Sequence, residues 1–124
     1  MKRMEFKEGQ IVFSQGDSSD RCYKVISGAV KISISSYDSN GVLHNVIAQT
    51  MRHGDVFGEM GIIDDSPRSA SAVATEDTIC VAYTADEMMD LLESNPKEAL
   101  AYIRTLIQRL RSNNIKILIE DDNP

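Results

Sequence analysis

The residues best placed to do chemistry lie in one stretch, Gly54-Asp55-Val56-Phe57-Gly58-Glu59-Met60-Gly61-Ile62-Ile63-Asp64-Asp65-Ser66-Pro67-Arg68-Ser69-Ala70-Ser71. Arg68 follows a rigid proline and precedes small residues, so an anion can approach its guanidinium without crowding. The planar fork offers parallel donors to two phosphate oxygens at once. Upstream, the glycines open a short apolar turn predicted to be helical from Glu59 to Ile63, leaving backbone amides uncovered toward an anion. Glu59 stands at its start, where a carboxylate can accept hydrogen bonds from a sugar hydroxyl. Chemistry alone therefore describes an anion-plus-hydroxyl site, or else a surface loop stitched by a structural Arg–Glu pair. Asp64 and Asp65 would oppose an anion and are expected to face solvent.

Other reactive types are less organised. Asp17 and Asp20, in Gly-Asp-x-x-Asp, could mimic a metal loop, but such residues more often fix turns through side-chain to backbone bonds. His44 and His53 lack a His-x-His spacing and a clustered third ligand, which argues against a metalloenzyme. Cys22 and Cys80 fall in predicted strands and are expected in the core, without a disulfide. No exposed nucleophile in a special turn suggests Ser-His-Asp catalysis.

The elements that must hold this stretch follow from periodicity. Phe6 to Ser14, Arg21 to Ile26 and Val30 to Ile34 read as short strands, the last alternating apolar and polar residues. Asn40-Gly41 predicts a type I′ hairpin turn into a returning strand, Val42 to Met51. Ala70 to Ala74 and Thr78 to Tyr83 complete an antiparallel roll, sandwich or barrel. The last third is helical. Thr84 and Glu87 form a capping box for a helix over about 85–94, and Pro96 starts another over about 97–119. In that second helix Leu100, Ile103, Ile107, Leu110, Asn114 and Ile117 step by 3, 4, 3, 4 and 3, a heptad pattern. The whole chain, 1–124, is expected to be one domain, mainly β with α, its roll spanning about 6–83.

Composition bounds the rest. The 124 residues carry a net charge of −6, which argues against direct nucleic-acid binding, dominated as that is by Lys and Arg on phosphates. No apolar run reaches the roughly 20 residues of a membrane span, and Met1-Lys2-Arg3-Met4-Glu5 carries no apolar signal core. A cytoplasmic location is the expectation.

The stretch Phe57-Gly58-Glu59 followed by Pro67-Arg68-Ser69-Ala70-Ser71 resembles the phosphate-binding cassette of the cyclic-nucleotide-binding domain family. Gly9-Gln10-Ile11-Val12-Phe13-Ser14-Gln15-Gly16-Asp17, Asp20, Tyr23, Ile26, Gly28 and Val30 also fall where that family has its glycines and apolar positions. The similarity covers about residues 6–119 and implies an antiparallel β-roll with a short cassette helix, followed by two C-terminal helices. It further implies a sensor of cAMP or cGMP that performs no chemistry and needs no metal or cofactor. Arg68 would pair with the cyclic phosphate, with Gly58, Ser69 and Ala70 completing its cradle, and Glu59 would take the ribose 2′-hydroxyl. Ile32 and Ala48 would line the base pocket, and Asn113 and Asn114 would reach the base from the last helix. Ser69 leans toward cAMP over cGMP.

The heptad stripe, with Tyr102, Leu106, Ile115, Leu118 and Ile119 beside it, holds more apolar surface than one face can hide, so a parallel homodimer through this helix is expected. No effector domain is expected within the chain, so output would pass to a partner protein, a second chain or a fused domain. Two alternatives stand beside this reading: a nucleotide-blind dimerisation scaffold of the same fold, and a cupin-like metalloenzyme on a related roll.

Overall fold

Period-2 burial builds the first part of the chain. In β8 (Thr78–Thr84), Thr78, Cys80 and Ala82 are buried and the residues between them less so; in β7 (Ser71–Ala74), Ala72 and Ala74 do the same. Alternate residues of a strand share a face, so each strand offers one apolar side. The strands form two antiparallel sheets of four. One runs β1 (Lys2–Phe6), β8, β3 (Arg21–Ser27) and β6 (Val56–Phe57); the other runs β2 (Ile11–Phe13), β7, β4 (Val30–Tyr37) and β5 (Leu43–Met51). Residues of both sheets meet in a core that includes Tyr23, Val25, Phe57 and Cys80 from the first and Val30, Met51, Ala72 and Ala74 from the second. At its centre Tyr23 stacks on Phe57 with ring centroids 5.3 Å apart. Cys22 and Cys80 are both free and buried, as expected. The computed structural model describes residues 1–121, with side chains for 1–47 and 49–111.

Three details depart from the sequence reading, the first being that Val56–Phe57, not predicted as a strand, pairs as β6 with Lys24 and Tyr23 of β3. The roll begins at Lys2 rather than near Phe6, because β1 pairs with β8 from Lys2↔Ala82 to Phe6↔Thr78. Lys2, Arg3 and Glu5 mask that strand; charged side chains on an edge strand dilute an apolar pattern carried here by Met4 and Phe6. The hairpin between β4 and β5 is also not a type I′ turn. Gly41 alone has positive φ, +78°, while Asn40 does not. The Gly41 amide donates to the Asp38 carbonyl (3.0 Å) and the Asp38 amide to the Val42 carbonyl (2.9 Å), the pattern of a three-residue loop closed by a left-handed glycine. The Asp38 side chain decides it, accepting from the Asn40 and Val42 amides.

The helices start where capping predicts. Thr84 and Glu87 bond each other's amides (3.2 and 3.1 Å) at α2 (Ala85–Ser94). Asn95 accepts from the Glu98 amide at α3 (Pro96–Asp121). The chain forms two compact units, Met1–Met88 and a second from Met89 onward. Within the second, Leu100, Ile103, Ile107 and Leu110 are exposed. No helix among the described residues is long and apolar enough to cross a membrane.

Candidate functional site

Arg68 is placed by its backbone before its side chain does anything. The Gly16 amide donates to the Arg68 carbonyl and the Arg68 amide to the Asp17 carbonyl, both at 2.8 Å. Asp17 in turn fixes the loop that carries it, its carboxylate accepting from the Ser14 amide at 3.0 Å. That is the turn-fixing role expected of it. Arg68 then runs inward until its side chain is only 3% exposed. Its Nη1 donates to the Gly58 carbonyl and its Nη2 to the Arg21 carbonyl, both at 2.6 Å. Its Cζ lies 4.1 Å from the centre of the Phe13 ring. The exposed Asp20 carboxylate stands 3.6 Å from Nη2. The Nε–H has no partner among the described residues.

Glu59 is buried as deeply, at 2% exposure. It holds the N-cap position of α1 (Met60–Asp64), one residue later than the helix predicted from Glu59 to Ile63. Its backbone is already helical there and its side chain makes no capping bond. Asp65 ends the turn in a left-handed conformation, and both Asp64 and Asp65 are exposed, as expected. Ser19 Oγ donates to the Ser66 carbonyl at 2.7 Å and lies against Gly61, where a Cβ would collide with it. The loop from residue 14 to 20 therefore clamps the cassette from one side.

Gly58 connects the two charged side chains. Its φ of +78° is a left-handed value, and a Cβ there would meet Arg68 Nη1 at 2.8 Å and the Phe13 ring at 3.1 Å. Burial first, and then the Glu59 carboxylate, push the Cys22 thiol up to about 11, while Arg68 pulls it the other way, so both charges are felt at one sulfur. Gly58, Glu59 and Arg68 are thus brought together, with Ser69 and Ala70 following in the loop that leads to β7.

The residues predicted to reach a base are more scattered. Ile32 is half-buried in β4 and packs on the core. It pairs with Gln49 rather than Ala48, because a bulge between Ile32 and Ser33 leaves Ala48 as the extra residue of β5. The side chains of Ala48, Asn113 and Asn114 lie outside the described residues. His44 Nε2 pairs with Asp38 at 2.8 Å, and His53 Nδ1 with the Ile26 carbonyl at 2.7 Å. Among the described residues no three His, Cys, Asp or Glu side chains cluster as metal ligands.

Sequence reasoning missed two contributors. Phe13 was visible only as one apolar residue of a strand; strict alternation would place it beside the exposed Ile11. A register shift between Ile11 and Phe13 turns it inward instead, with Val12 as the extra residue. Gln15 was the other. Its amide accepts from the Ser35 amide (2.8 Å) and donates to the Ser35 carbonyl (3.1 Å), standing in for a strand where β7 has stopped pairing with β4.

The family model for the cyclic nucleotide-binding domain matches residues 3–95. A CRP-like cAMP-activated global transcriptional regulator of Mycobacterium tuberculosis is 32% identical over all of this chain and 54% of its own length. A cGMP-dependent protein kinase of Toxoplasma gondii is 30% identical over 94% of this chain and 11% of its own. The crystal structure of the Thermus thermophilus catabolite activator protein superposes with a TM-score of 0.81 at 30% identity, covering 97% of this chain and 55% of that one. The chain spans about half the length of the curated bacterial regulators it matches.

Proposed function

The chain belongs to the cyclic nucleotide-binding domain family, and from that premise we propose that it is a cytoplasmic sensor module that holds a cyclic nucleotide, with cAMP preferred over cGMP, and performs no chemistry on it. One observation carries this reading. The buried Arg68 guanidinium, held by the Gly58 carbonyl, keeps its Nε–H without a partner among the described residues, in the loop that runs on through Ser69 and Ala70. A cyclic phosphate is a monoanion with two free oxygens. The Nε edge of a guanidinium gives it one charge and a donor without rearranging a fold. Glu59, buried beside Gly58, accepts the ribose 2′-hydroxyl, and Ile32 forms the apolar wall at the base end together with Ala48.

The finer part of the proposal concerns output. The exposed stripe Leu100, Ile103, Ile107 and Leu110 of α3 supports a homodimer through that helix. Asn113 and Asn114 would contact the base, and ordering of α3 would pass the signal to an unidentified downstream protein. A ligand shifts such an equilibrium only by its difference in affinity for the two states.

Calorimetric titration with cAMP, cGMP and AMP tests the whole. Saturable binding of cAMP, weaker binding of cGMP and none of comparable strength for AMP is the expected result. No heat from either cyclic nucleotide leaves the dimerisation scaffold as the better reading. Equal binding of AMP reduces the site to a nonspecific anion hole.

A further inference from the structure

Arg68 is a buried cation, and the Asp20 carboxylate beside it is itself exposed and 3.6 Å away. Exposed carboxylates at such a distance contribute little. Two carbonyls fix two points of the guanidinium but leave its plane free to tilt about the line between them. What covers its face is Phe13, with the ring centre 4.1 Å from Cζ. The ring is itself held, its centroid 6.0 Å from both Tyr23 and Phe57. Its edge also occupies the space that a side chain at position 58 would need.

We propose that Phe13 is a positioning residue for the phosphate-binding arginine: its ring supplies the negative π-face over which the Arg68 guanidinium lies, turned so that its Nε edge faces an incoming anion. The proposal rests on the reading of Arg68 as the phosphate cation. An aromatic face attracts a guanidinium through its quadrupole, an effect that grows when water is excluded. An aliphatic side chain of similar bulk fills the volume but offers no such field. The bulge at Val12 is what turns this ring inward, so the roll spends a ladder position on placing it. Phe13 need not touch the ligand; it acts through Arg68.

The decisive experiment separates the field of the ring from its shape. Phe13 is replaced in the full chain by mono-, tri- and pentafluorophenylalanine, which progressively cancel and invert the quadrupole at nearly constant volume. Urea unfolding is measured first without nucleotide, in the Arg68 and Arg68→Met backgrounds. Pentafluorination should lower the folded-to-unfolded ratio by about 2- to 30-fold with Arg68 present and leave it nearly unchanged with Met, in proportion to fluorine count. Equal effects in both backgrounds overturn the proposal, whether or not the chain binds cyclic nucleotide. Titration with cAMP follows, and affinity should fall by a similar factor of about 2 to 30 with pentafluorination. A fluorinated chain that binds cAMP as tightly as the parent also overturns it while leaving the functional reading intact. A parent chain that binds no cyclic nucleotide sinks the functional reading alone, and the unfolding cycle still decides the role of the ring.

Discussion

The cassette and the β4–β5 hairpin are built by opposite means. At the cassette, Arg68 and Glu59 are almost fully buried and Gly58 carries a conformation and a tight approach that suit no larger residue. On the hairpin, Tyr37, Leu43, Val46 and Ile47 are all at least half exposed, and past the end of β7 it is steadied by the Gln15 amide and by the Asp38 turn. The cassette is preorganised by tertiary contacts; the hairpin holds itself together mostly by local ones. Such a division suits a ligand whose phosphate and ribose are the same in cAMP and cGMP while the base differs. On the proposed function, the buried cassette would supply affinity for the common part, and the more exposed hairpin would lie beside the variable part.

The largest effect should come from Arg68→Ala. A charge-assisted contact is worth roughly 1.5–3 kcal/mol, so cAMP affinity should fall by at least about tenfold, read by calorimetry. If that variant binds as the parent does, the cassette is not the phosphate site and the comparison collapses. Gly58→Ala comes next. A non-glycine residue in a left-handed conformation costs about 1–2 kcal/mol, and the new methyl meets Arg68 Nη1 at 2.8 Å. Both melting temperature and affinity should drop, and a variant that loses neither would show that Gly58 is merely tolerated.

How much of this was legible in the sequence differs between the two regions for the same physical reason. The cassette could be read because its constraints are chemical and local in sequence: a glycine before a carboxylate, a proline before an arginine, small residues after it. Six of the eight strands and the capping of both helices were likewise legible from alternation and from Thr84, Glu87 and Pro96. What escaped depends on register. The bulge that turns Phe13 inward, the bulge that leaves Ala48 unpaired and the β1 strand hidden among charged residues are set by strand partners far along the chain. Asn40-Gly41 misled for a related reason: the dipeptide favours one turn, but the Asp38 carboxylate, two residues before Asn40, imposed another.

Glu59→Gln should have a smaller effect than either cassette change above. Glutamine keeps an acceptor oxygen and loses the charge, so about 1 kcal/mol of cAMP affinity is the expected loss. The change also removes a negative charge that raises the Cys22 pKa. Cys22 should therefore react somewhat faster with a thiol reagent at alkaline pH in the variant, monitored on the native chain. Unchanged reactivity together with unchanged affinity would place the carboxylate away from the site.

The smallest effect lies in the hairpin and leaves the cassette alone. His44 first, and then the Val42 and Asn40 amides, hold the Asp38 carboxyl below the usual carboxylate range. A folded-state pKa below the unfolded one means the ionised form is preferred in the folded turn. Its contribution is therefore fully present above the ordinary aspartate value and is lost as pH falls through the lowered one. Asp38 is exposed, so the consequence is a local loosening of the turn rather than a measurable change in global stability. The Val42 amide, which donates to Asp38 Oδ1 at 2.9 Å, reports it. Followed by NMR from neutral pH downward, that resonance should stay native-like through the range where a free aspartate titrates and move only below it. In Asp38→Asn the titration should vanish, while cAMP affinity at neutral pH stays within about twofold, since among the described residues the Asp38 side chain bonds only within its own hairpin. A Val42 midpoint at or above the ordinary aspartate value would contradict the bonding seen in the loop. A large loss of cAMP affinity in Asp38→Asn would instead show that the hairpin and the cassette are coupled, and that the division between a buried cassette and a more exposed hairpin is too sharp.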